Sequence, residues 1–554
     1  MLEFINMTIG DLLDIKAKEY PDKDALIHPY ENVRYSTRQF KEECDRVARG
    51  LMALGIEKGD HVAIWATNYP QWVISMFATA KIGAVLVTVN TNYKKYELEY
   101  LLKQSDSKML IMTGGTKENN YVGHINAICP ELKDCKPGEL NSKKLPFLKS
   151  VVFLDGERHP GMYLWDDVLA ASENVSEEER FARQRGTDPH DVINMMYTSG
   201  TTGFPKGVML THYNLVNNGK AIGSYMKFTD KDRLCIPVPL FHCFGCVLGV
   251  MAAVTNDAAM IIIDHFNPVK VMQTIQSEKC TAVHGVPTMF IAMLEHKDFE
   301  SYDFSTLRTG IMAGSPCPIE VMKAAVSRMN MREITIVYGQ TESSPGITQT
   351  SADDTLERRV STVGRAYPNL EAKIIIPETG EDAPPNTIGE IVTRGYHVMK
   401  GYYKMPEATA QAIDKDGWLH TGDLGMMDED GYFKITGRLK DMIIRGGENI
   451  YPREIEEFMY THPAVRDVQV VGVPDKKYGE EVLACVILKD GASVSEDELI
   501  DFVRAGLSKF KAPRYVKFID AFPMTASGKI QKYKLREWAV HELHLEDAAN
   551  IETA

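Results

Sequence analysis

The residues best suited to chemistry lie in one segment, MMYTSGTTGFPKGVMLTHYN, at residues 195–214. An apolar run typical of a strand leads into a turn rich in hydroxyls and glycines, and a lysine follows. Its candidate phosphate contacts are Thr198, Ser199, Gly200, Thr201, Thr202 and Lys206. Small residues let backbone amides and hydroxyls approach phosphate oxygens, and the lysine adds a cation on a flexible stem. The segment predicts a phosphate-binding loop.

The alternative is a polar surface turn, since one Gly-rich string is weak evidence. The density of hydroxyls and glycines beside a lysine favours phosphate contact. A Walker loop is disfavoured because Lys206 follows Pro205 and precedes Gly207, without the GxxxxGK order or a Ser/Thr after the lysine.

Five further segments follow in order along the chain. They are AGSPCP (313–318), VYGQTE (337–342), GWLHTGD (417–423), GRLKDMIIRGGENIYP (437–452) and PMTASGKIQKYKLRE (523–537). Together with YTSGTTGFPKGV they resemble the motifs of the adenylate-forming (AMP-binding) enzymes, the superfamily of acyl-CoA synthetases, luciferases and the adenylation domains of peptide synthetases. The resemblance covers nearly the whole chain, is strongest to bacterial medium- and long-chain fatty acyl-CoA ligases, and implies ATP, Mg²⁺ and coenzyme A.

The VYGQTE segment receives most of the nucleotide roles that the resemblance implies. Glu342, with Thr198, is expected to bind Mg²⁺, Thr341 to contact the α-phosphate, and Tyr338, beside Gly339, to stack on adenine. A hard carboxylate oxygen suits Mg²⁺, and a ring suits a base. Taken alone, Glu342 would be another exposed acid.

Two more segments are expected to hold the rest of the nucleotide. The resemblance places Asp423 on the ribose hydroxyls and Arg438 on the same sugar, while Gly314 and Ser315 pass close to the base. Without the resemblance, Asp423 would be interpreted as a turn former and the AGSPCP segment as an ordinary strand-to-helix turn.

Lys529, in TASGKI, is the residue expected to carry the first half-reaction. The resemblance implies that its ammonium bridges the substrate carboxylate and the α-phosphate, where negative charges are forced together. A lone lysine near the chain end would otherwise be a solvated surface group. Ser527 stands where many relatives carry Thr, which is a mild departure.

Two reactions in one site require two arrangements, because a lysine loop used for adenylation would obstruct thiol entry. The resemblance implies rotation of the C-terminal domain about Lys440. Gly447 would line the pantetheine channel beside Gly446, and Arg445 is a candidate contact for coenzyme A phosphates. The alternative for the glycine pair is a plain turn.

The acid pocket is expected to form from residues 239–245 (PLFHCFG), 284–290 (HGVPTMF) and 310–314. These segments are largely apolar, and no cation in them is placed to pair with a second charged group of the substrate. A hydrophobic monocarboxylate fits best. His242 resembles a residue that touches the substrate carboxylate or gates the pocket, and its alternative is a satisfied core histidine.

Cys243 and Cys246 form a lone CxxC beside His242. No second pair stands at zinc spacing, so packing of two small thiols is favoured over a metal or redox role.

The elements that must position these residues follow an α/β pattern. Amphipathic stretches alternate with short runs such as HVAIWA, AVLVTVN and KMLIMTG, which predicts a mainly parallel sheet over much of the first 430 residues. We expect a large N-terminal domain of several subdomains at 1–439 and a smaller, mobile α+β domain at 440–554. In the latter, DVQVVGVPD and EVLACVILKD predict strands and SEDELIDFVRAGLSKF predicts a helix.

Composition limits the functional classes. The chain has 554 residues and a formal net charge of −14, which disfavours nonspecific nucleic-acid binding. The apolar stretches 73–90 and 246–263 are interrupted by polar residues, so each predicts a buried helix followed by a strand and no integral membrane segment. The N-terminal residues resemble no secretion signal, which favours the cytoplasm. Peripheral membrane contact and the oligomeric state, monomer or homodimer, stay open.

The leading hypothesis is therefore an ATP-dependent acid:CoA ligase that forms acyl-CoA, AMP and pyrophosphate through an acyl-adenylate. Its substrate would be a small carboxylic acid, best matched by a medium- or long-chain fatty acid. The alternatives are a ligase for aromatic acids, an adenylating enzyme that loads an acyl carrier protein, and a nucleotide-binding regulator without catalysis. The presence of Glu342, Asp423, Arg438 and Lys529 disfavours the regulator.

Overall fold

The computed structural model describes residues 3–117, 119–198, 205–314, 317–445, 448–475, 478–507, 509–525 and 530–549. At residues 438, 440, 448, 449, 509, 548 and 549 it describes the backbone alone. The predicted contacts Ser199, Gly200, Thr201, Thr202, Ser315, Gly446, Gly447 and Lys529 lie outside the described residues.

The strands, in chain order, are β1 (Asp24–His28), β2 (Val33–Ser36), β3 (His61–Trp65), β4 (Val85–Thr88), β5 (Ser107–Met112), β6 (Gly115–Thr116), β7 (Asn119–Asn120), β8 (Ser150–Phe153), β9 (Tyr163–Leu164), β10 (Val192–Thr198), β11 (Lys206–Thr211), β12 (Arg233–Ile236), β13 (Ala259–Ile262), β14 (Ala282–Val283), β15 (Thr309–Met312), β16 (Glu333–Gly339), β17 (Gly346–Gln349), β18 (Arg365–Ala366), β19 (Leu370–Ile375), β20 (Gly389–Gly395), β21 (Gly401–Tyr402), β22 (Leu419–Met427), β23 (Phe433–Arg438), β24 (Ile443–Arg445), β25 (Glu448–Ile450), β26 (Val465–Asp475), β27 (Gly479–Leu488) and β28 (Tyr515–Phe518).

The helices are α1 (Ile9–Glu19), α2 (Thr37–Ala53), α3 (Pro70–Ile82), α4 (Lys95–Gln104), α5 (Tyr121–Ile128), α6 (Trp165–Ala171), α7 (Glu177–Arg185), α8 (His212–Tyr225), α9 (Ala252–Thr255), α10 (Pro268–Ser277), α11 (Pro287–Leu294), α12 (Ile319–Arg328), α13 (Leu356–Ser361), α14 (Pro406–Ala412), α15 (Pro452–Tyr460), α16 (Glu496–Gly506), α17 (Lys532–Glu542) and α18 (Glu546–Ala549). A π-helix, Phe244–Met251, runs directly into α9.

Two large sheets form the frame of the N-terminal part. One has the strand order β18-β17-β16-β15-β14-β12-β13-β1-β2 and the other has the order β21-β11-β10-β4-β3-β5-β8-β9. The central strands of both are parallel, and antiparallel strands such as β17 and β11 lie toward the edges. The predicted α/β fold is confirmed. The mainly parallel arrangement ends before Leu370, beyond which β19, β20, β22 and β23 pair antiparallel.

The core between the two sheets is built around α3. Strands β3, β4 and β5 are almost wholly apolar, as parallel strands covered on both faces must be. Residues of α3, α8 and the π-helix join side chains from both sheets in one hydrophobic cluster. The stretch 73–90 forms α3 and β4, and the stretch 246–263 forms the π-helix, α9 and β13, so both helix–strand predictions are confirmed. None of the helices among the described residues is long and apolar enough to cross a membrane.

The C-terminal part has a sheet of its own, with the order β25-β24-β27-β26 and β28 parallel to β27. Helices α15 and α16 pack on one face, and α17 packs on the other. Ser495 caps α16 in a reciprocal arrangement with Glu498, as the Ser/Glu/Asp cluster predicts. The chain changes from the β19–β23 sheet to this sheet between Arg438 and Ile443, close to the predicted domain boundary at Lys440.

A buried group of charges ties α1, α2, α3 and α7 together. The Lys81 ammonium is fully buried and lies 2.5 Å from Asp14 and 2.7 Å from Asp45, and Arg180 lies 3.4 Å from Asp45. Burial alone would raise the pKa of Asp14, but the charge and hydrogen bond of Lys81 hold that pKa below its ordinary value. The first helix is therefore anchored by ion pairing as well as by apolar contact.

We expect Lys81→Ala to lower the free energy of unfolding by about 3–5 kcal/mol, because it removes the buried cation that pairs with both Asp14 and Asp45. The measurement is the thermal unfolding midpoint. Lys323→Ala is the matched control, since Lys323 pairs with Glu320 on the exposed surface and should change stability by less than about 0.5 kcal/mol. Equal midpoints for the two variants would contradict this account of the buried cluster.

Candidate active site

The predicted phosphate segment spans the turn between β10 and β11. These strands pair antiparallel, and Thr198 at the end of β10 lies opposite Lys206 at the start of β11. The Lys206 ammonium lies 4.3 Å from the centroid of the Tyr402 ring. The strand pairing therefore brings the predicted phosphate contacts Thr198 and Lys206 side by side.

The turn that carries Thr341 and Glu342 follows β16 and is held by backbone and side-chain contacts. The Tyr402 hydroxyl donates to Glu342 Oε1 at 2.8 Å, and the Met399 amide donates to the Glu342 carbonyl at 2.9 Å. Gly339 enters the turn with φ of +158°, and a Cβ there would lie 1.8 Å from the Pro345 carbonyl oxygen. Only glycine fits at this position.

Thr341 is linked to the predicted acid pocket through a cysteine. The Cys243 sulfur lies 3.7 Å from Thr341 Oγ1 and 3.6 Å from His242 Nδ1, and the Phe244 amide donates to the same His242 nitrogen at 3.2 Å. His242 is partly exposed, which differs from the alternative of a buried core histidine. Cys243 and Cys246 pack in the hydrophobic core, and burial raises the pKa of the Cys246 thiol well above its ordinary value.

The residues predicted for adenine and ribose meet across two sheets. The Tyr338 hydroxyl donates to Asp423 Oδ2 at 3.0 Å, and both side chains are buried. Asp423 lies opposite Arg438 in the β22–β23 pair, so the backbone brings the two predicted ribose contacts together. Gly314, just after β15, has φ of +92°, in the left-handed region that favours glycine.

The three segments predicted for the acid pocket are neighbours. The Ala313 amide donates to the Gly285 carbonyl, and the Ile311 amide donates to His284 Nδ1 at 3.1 Å. That contact leaves the His284 proton on Nε2, which donates to the Leu248 carbonyl in the π-helix at 2.9 Å. Burial lowers the pKa of His284 to about 4, so the ring is neutral at neutral pH.

The C-terminal residues are placed in part. Arg445 forms a two-point ion pair with the fully buried Glu481, at 2.6 and 2.9 Å, and its guanidinium stacks on Tyr478 at 4.5 Å. The hydrogen bonds that Arg445 donates to Glu481, and then the charge of that carboxylate, raise the pKa of Arg445. Met524 and Ile530, which precede and follow Lys529 in the chain, form an antiparallel bridge.

Residues 13–403 match the family described as AMP-binding enzyme, and residues 454–529 match the AMP-binding enzyme C-terminal domain. The chain belongs to the AMP-binding enzyme family. It is 59% identical to a putative acyl-CoA synthetase, YngI, from Bacillus subtilis (strain 168), covering 98% of this chain and 99% of that protein. It is 44% identical to the mitochondrial medium-chain acyl-CoA ligase ACSF2 of Bos taurus, covering 98% and 89%.

Solved structures agree with this assignment. The anthranilate CoA ligase AuaEII, in complex with anthranoyl-AMP, has a TM-score of 0.85 at 27% identity and covers 98% of this chain and 99% of its own. ATP-bound MatB from Rhodopseudomonas palustris has a TM-score of 0.83 at 29% identity, covering 97% and 99%. The predictions of the family, the fold and an ATP-dependent, AMP-forming acid:CoA ligase are confirmed.

The residues of this AMP-binding enzyme also fit a bound Mg²⁺. Among the residues that the structure describes, no group of three or more His, Cys, Asp or Glu side chains could hold a metal alone. Mg²⁺ needs no such cage, because it is commonly held by one or two carboxylates together with substrate phosphates. Glu342, whose Oε1 accepts a hydrogen bond from the Tyr402 hydroxyl, is a carboxylate that fits this requirement.

Sequence reasoning missed three contributors to the site. Tyr402 contacts both Glu342 and Lys206, Cys243 links His242 to Thr341, and Glu481 pairs with Arg445. Each of these contacts joins a predicted site residue to a residue that lies in another segment or outside the recognised motifs. The segment VMKGYYKMP places two adjacent tyrosines after a glycine, but nothing in the sequence distinguishes Tyr402 from Tyr403.

We expect Tyr338→Phe to raise the KM for ATP about 10- to 100-fold, because it removes a donor to a buried carboxylate, a contact worth about 1.5–3 kcal/mol. The ring remains, so adenine stacking should persist. The measurement is steady-state kinetics with ATP and the acid varied separately, and the KM for the acid should change by less than about twofold. An unchanged KM for ATP would contradict the role of the Tyr338–Asp423 contact.

Proposed function

We propose that this AMP-binding enzyme activates a medium-chain fatty acid with ATP and transfers the acyl group to coenzyme A. The observation that carries the proposal is the convergence of the Thr341–Glu342 turn with the His242–Cys243 segment. That contact sets the predicted α-phosphate residue beside the predicted acid pocket, where the two substrates must react. The full-length similarity to acyl-CoA ligases supports the same reaction.

In the first half-reaction a carboxylate oxygen attacks the α-phosphorus and pyrophosphate leaves. The barrier is largely electrostatic, so fixed cations and hydrogen-bond donors must meet the developing charge. In this scheme Lys206 and the Thr341 hydroxyl contact the phosphates, and Lys529 bridges the carboxylate and the α-phosphate. Mg²⁺, when bound by Glu342 and Thr198, supplies further charge neutralisation at the phosphates.

In the second half-reaction the thiol of coenzyme A attacks the acyl carbonyl carbon and AMP leaves. The proposal assigns Lys440 as the hinge between the two arrangements and Gly447 as part of the thiol channel. Arg445 forms an ion pair with Glu481 in this structure. To bind coenzyme A phosphates, Arg445 would use the guanidinium donors that do not bond to Glu481, or it would give up Glu481 for the phosphates. The reaction needs both ATP and coenzyme A, and this requirement favours a cytoplasmic location for the enzyme.

The pocket segments support a hydrophobic monocarboxylate. The π-helix beside His242 is buried and apolar throughout, and His284 is neutral, so these residues offer no fixed charge to a second polar group of the acid. Medium chain length is favoured by the similarity to ligases named for it. An aromatic acid is the second candidate, favoured by the similarity to the anthranilate CoA ligase.

A panel of acids tests the substrate assignment. We expect kcat/KM to be highest for straight-chain acids of medium length and lower for short, dicarboxylic and aryl acids, with thioester formation as the readout. Acid-dependent exchange of pyrophosphate into ATP, measured without coenzyme A, should follow the same order. Highest efficiency with aryl acids would favour the second candidate, and no exchange with any acid would overturn the ligase proposal.

The two half-reactions should separate by mutation. Lys529→Ala should reduce pyrophosphate exchange by at least about 100-fold, because an aligned cation is lost from the transition state, while thioester formation from supplied acyl-adenylate persists. Gly447→Leu should block thioester formation, because the added side chain would fill the thiol channel, while pyrophosphate exchange persists. Equal loss of both steps in both variants, at unchanged thermal stability, would argue against two arrangements. Transfer of the acyl group to a carrier-protein thiol in place of coenzyme A would favour the alternative of an enzyme that loads an acyl carrier protein.

A further inference from the structure

Tyr402 lies between two groups of opposite charge. Its hydroxyl donates to Glu342 Oε1 at 2.8 Å, and the Lys206 ammonium lies 4.3 Å from its ring centroid. Tyr402 is only 6% exposed, and Lys206 and Glu342 are both half-buried, so the contacts form at the edge of the protein interior. One side chain thus contacts both the cation of the phosphate hairpin and the carboxylate assigned to Mg²⁺.

The strand that carries Tyr402 is fixed to the phosphate hairpin by the backbone. In β21, Tyr402 lies opposite Val208 of β11, and Gly401 lies opposite Met209. The Tyr403 amide donates to the Gly207 carbonyl at 2.8 Å, directly beside Lys206. The ring is therefore held in register with the hairpin, and its hydroxyl reaches across to the turn that follows β16.

The Glu342 turn is held against the same segment. The Met399 amide donates to the Glu342 carbonyl, and the Ser344 hydroxyl donates to the His397 carbonyl at 2.6 Å. Asn214, in the first turn of α8, donates to the carbonyls of Tyr396 and Val398 at 2.5 and 3.2 Å. Residues 396–402 thus form a rigid strap between the phosphate hairpin and the Glu342 turn.

Without the ring, the flexible lysine and the carboxylate, both half-buried, would attract each other. A direct ion pair would neutralise both groups before substrate arrives. The face of the Tyr402 ring attracts the Lys206 ammonium, and the Tyr402 hydroxyl fixes one oxygen of the Glu342 carboxylate. The second carboxylate oxygen is then left to bind a cation. Hydrogen bonds of this kind orient metal ligands and affect metal affinity.

We propose that Tyr402 is a positioning residue that orients Glu342 for Mg²⁺ and keeps Lys206 from pairing with it. The inference rests on the proposed function, because the roles of Glu342 and Lys206 belong to it. Tyr402 itself takes no part in bond making, and its effect acts through these two groups. Removing the hydroxyl should weaken metal binding alone, and removing the ring should weaken nucleotide binding as well.

The test compares Tyr402→Phe, Tyr402→Leu and the control Tyr403→Phe. Tyr403 is the next residue along the chain, but its hydroxyl donates to Asp106 at 3.0 Å, away from Glu342. Mn²⁺ binding to the full chain is measured in the presence of α,β-methylene-ATP. Electron paramagnetic resonance detects the Mn²⁺ that remains free. Affinity of each variant for the metal-free nucleotide is measured by calorimetry in EDTA, and thermal unfolding reports on the fold.

We expect Tyr402→Phe to weaken Mn²⁺ binding by about 10- to 100-fold, with metal-free nucleotide affinity unchanged. Tyr402→Leu should weaken both, and Tyr403→Phe should weaken neither by more than about twofold. Adding Tyr402→Phe to Glu342→Gln should cause no further loss of Mn²⁺ affinity, because the hydroxyl acts through that carboxylate.

Three results would overturn the inference. The first is a Tyr402→Phe variant that binds Mn²⁺ as tightly as the unaltered chain, and the second is additive losses in the double variant. A loss of metal and nucleotide binding together with a lowered unfolding midpoint in Tyr402→Phe would also overturn it in favour of a general structural role. Failure of the proposed function would be distinguishable from these results, because the unaltered chain would then show no acid-dependent pyrophosphate exchange.

Discussion

Repulsion between a carboxylate and a triphosphate is the constraint that the site of this protein must overcome. The chain is itself acidic, with a formal net charge of −14, so the cations that meet the phosphates must be held locally. They must also be kept from the protein's own carboxylates until substrate arrives. The Tyr402 ring between Lys206 and Glu342 meets both requirements with one side chain.

The fold supplies the rigidity that this arrangement needs. Two mainly parallel sheets lie against a shared core, and the phosphate hairpin belongs to one sheet while the Thr341–Glu342 turn extends from the other. The strap at residues 396–402 joins them, and the Tyr338–Asp423 contact adds the antiparallel sheet. Because each group comes from a separate rigid element, its position is set by packing that is largely independent of substrate.

The sequence predicted the family, the α/β fold and the helix–strand pairs at 73–90 and 246–263, because these depend on local patterns and motifs. It did not predict the π-helix at Phe244–Met251 or the antiparallel sheet after Leu370. It also missed Tyr402, which lies 60 residues from Glu342 in the chain. Such contacts follow from tertiary packing, and no local pattern encodes which of two adjacent tyrosines faces the site.

The central claim is that a carboxylate oxygen of the acid attacks the α-phosphorus of ATP. Transfer of an isotopic label tests it most directly, with octanoate carrying ¹⁸O in both carboxylate positions, ATP and coenzyme A, and mass spectrometry of the products. The account predicts one ¹⁸O atom in the phosphate group of AMP and none in pyrophosphate. Label in inorganic phosphate with formation of ADP, or unlabelled AMP formed together with acyl-CoA, would contradict it.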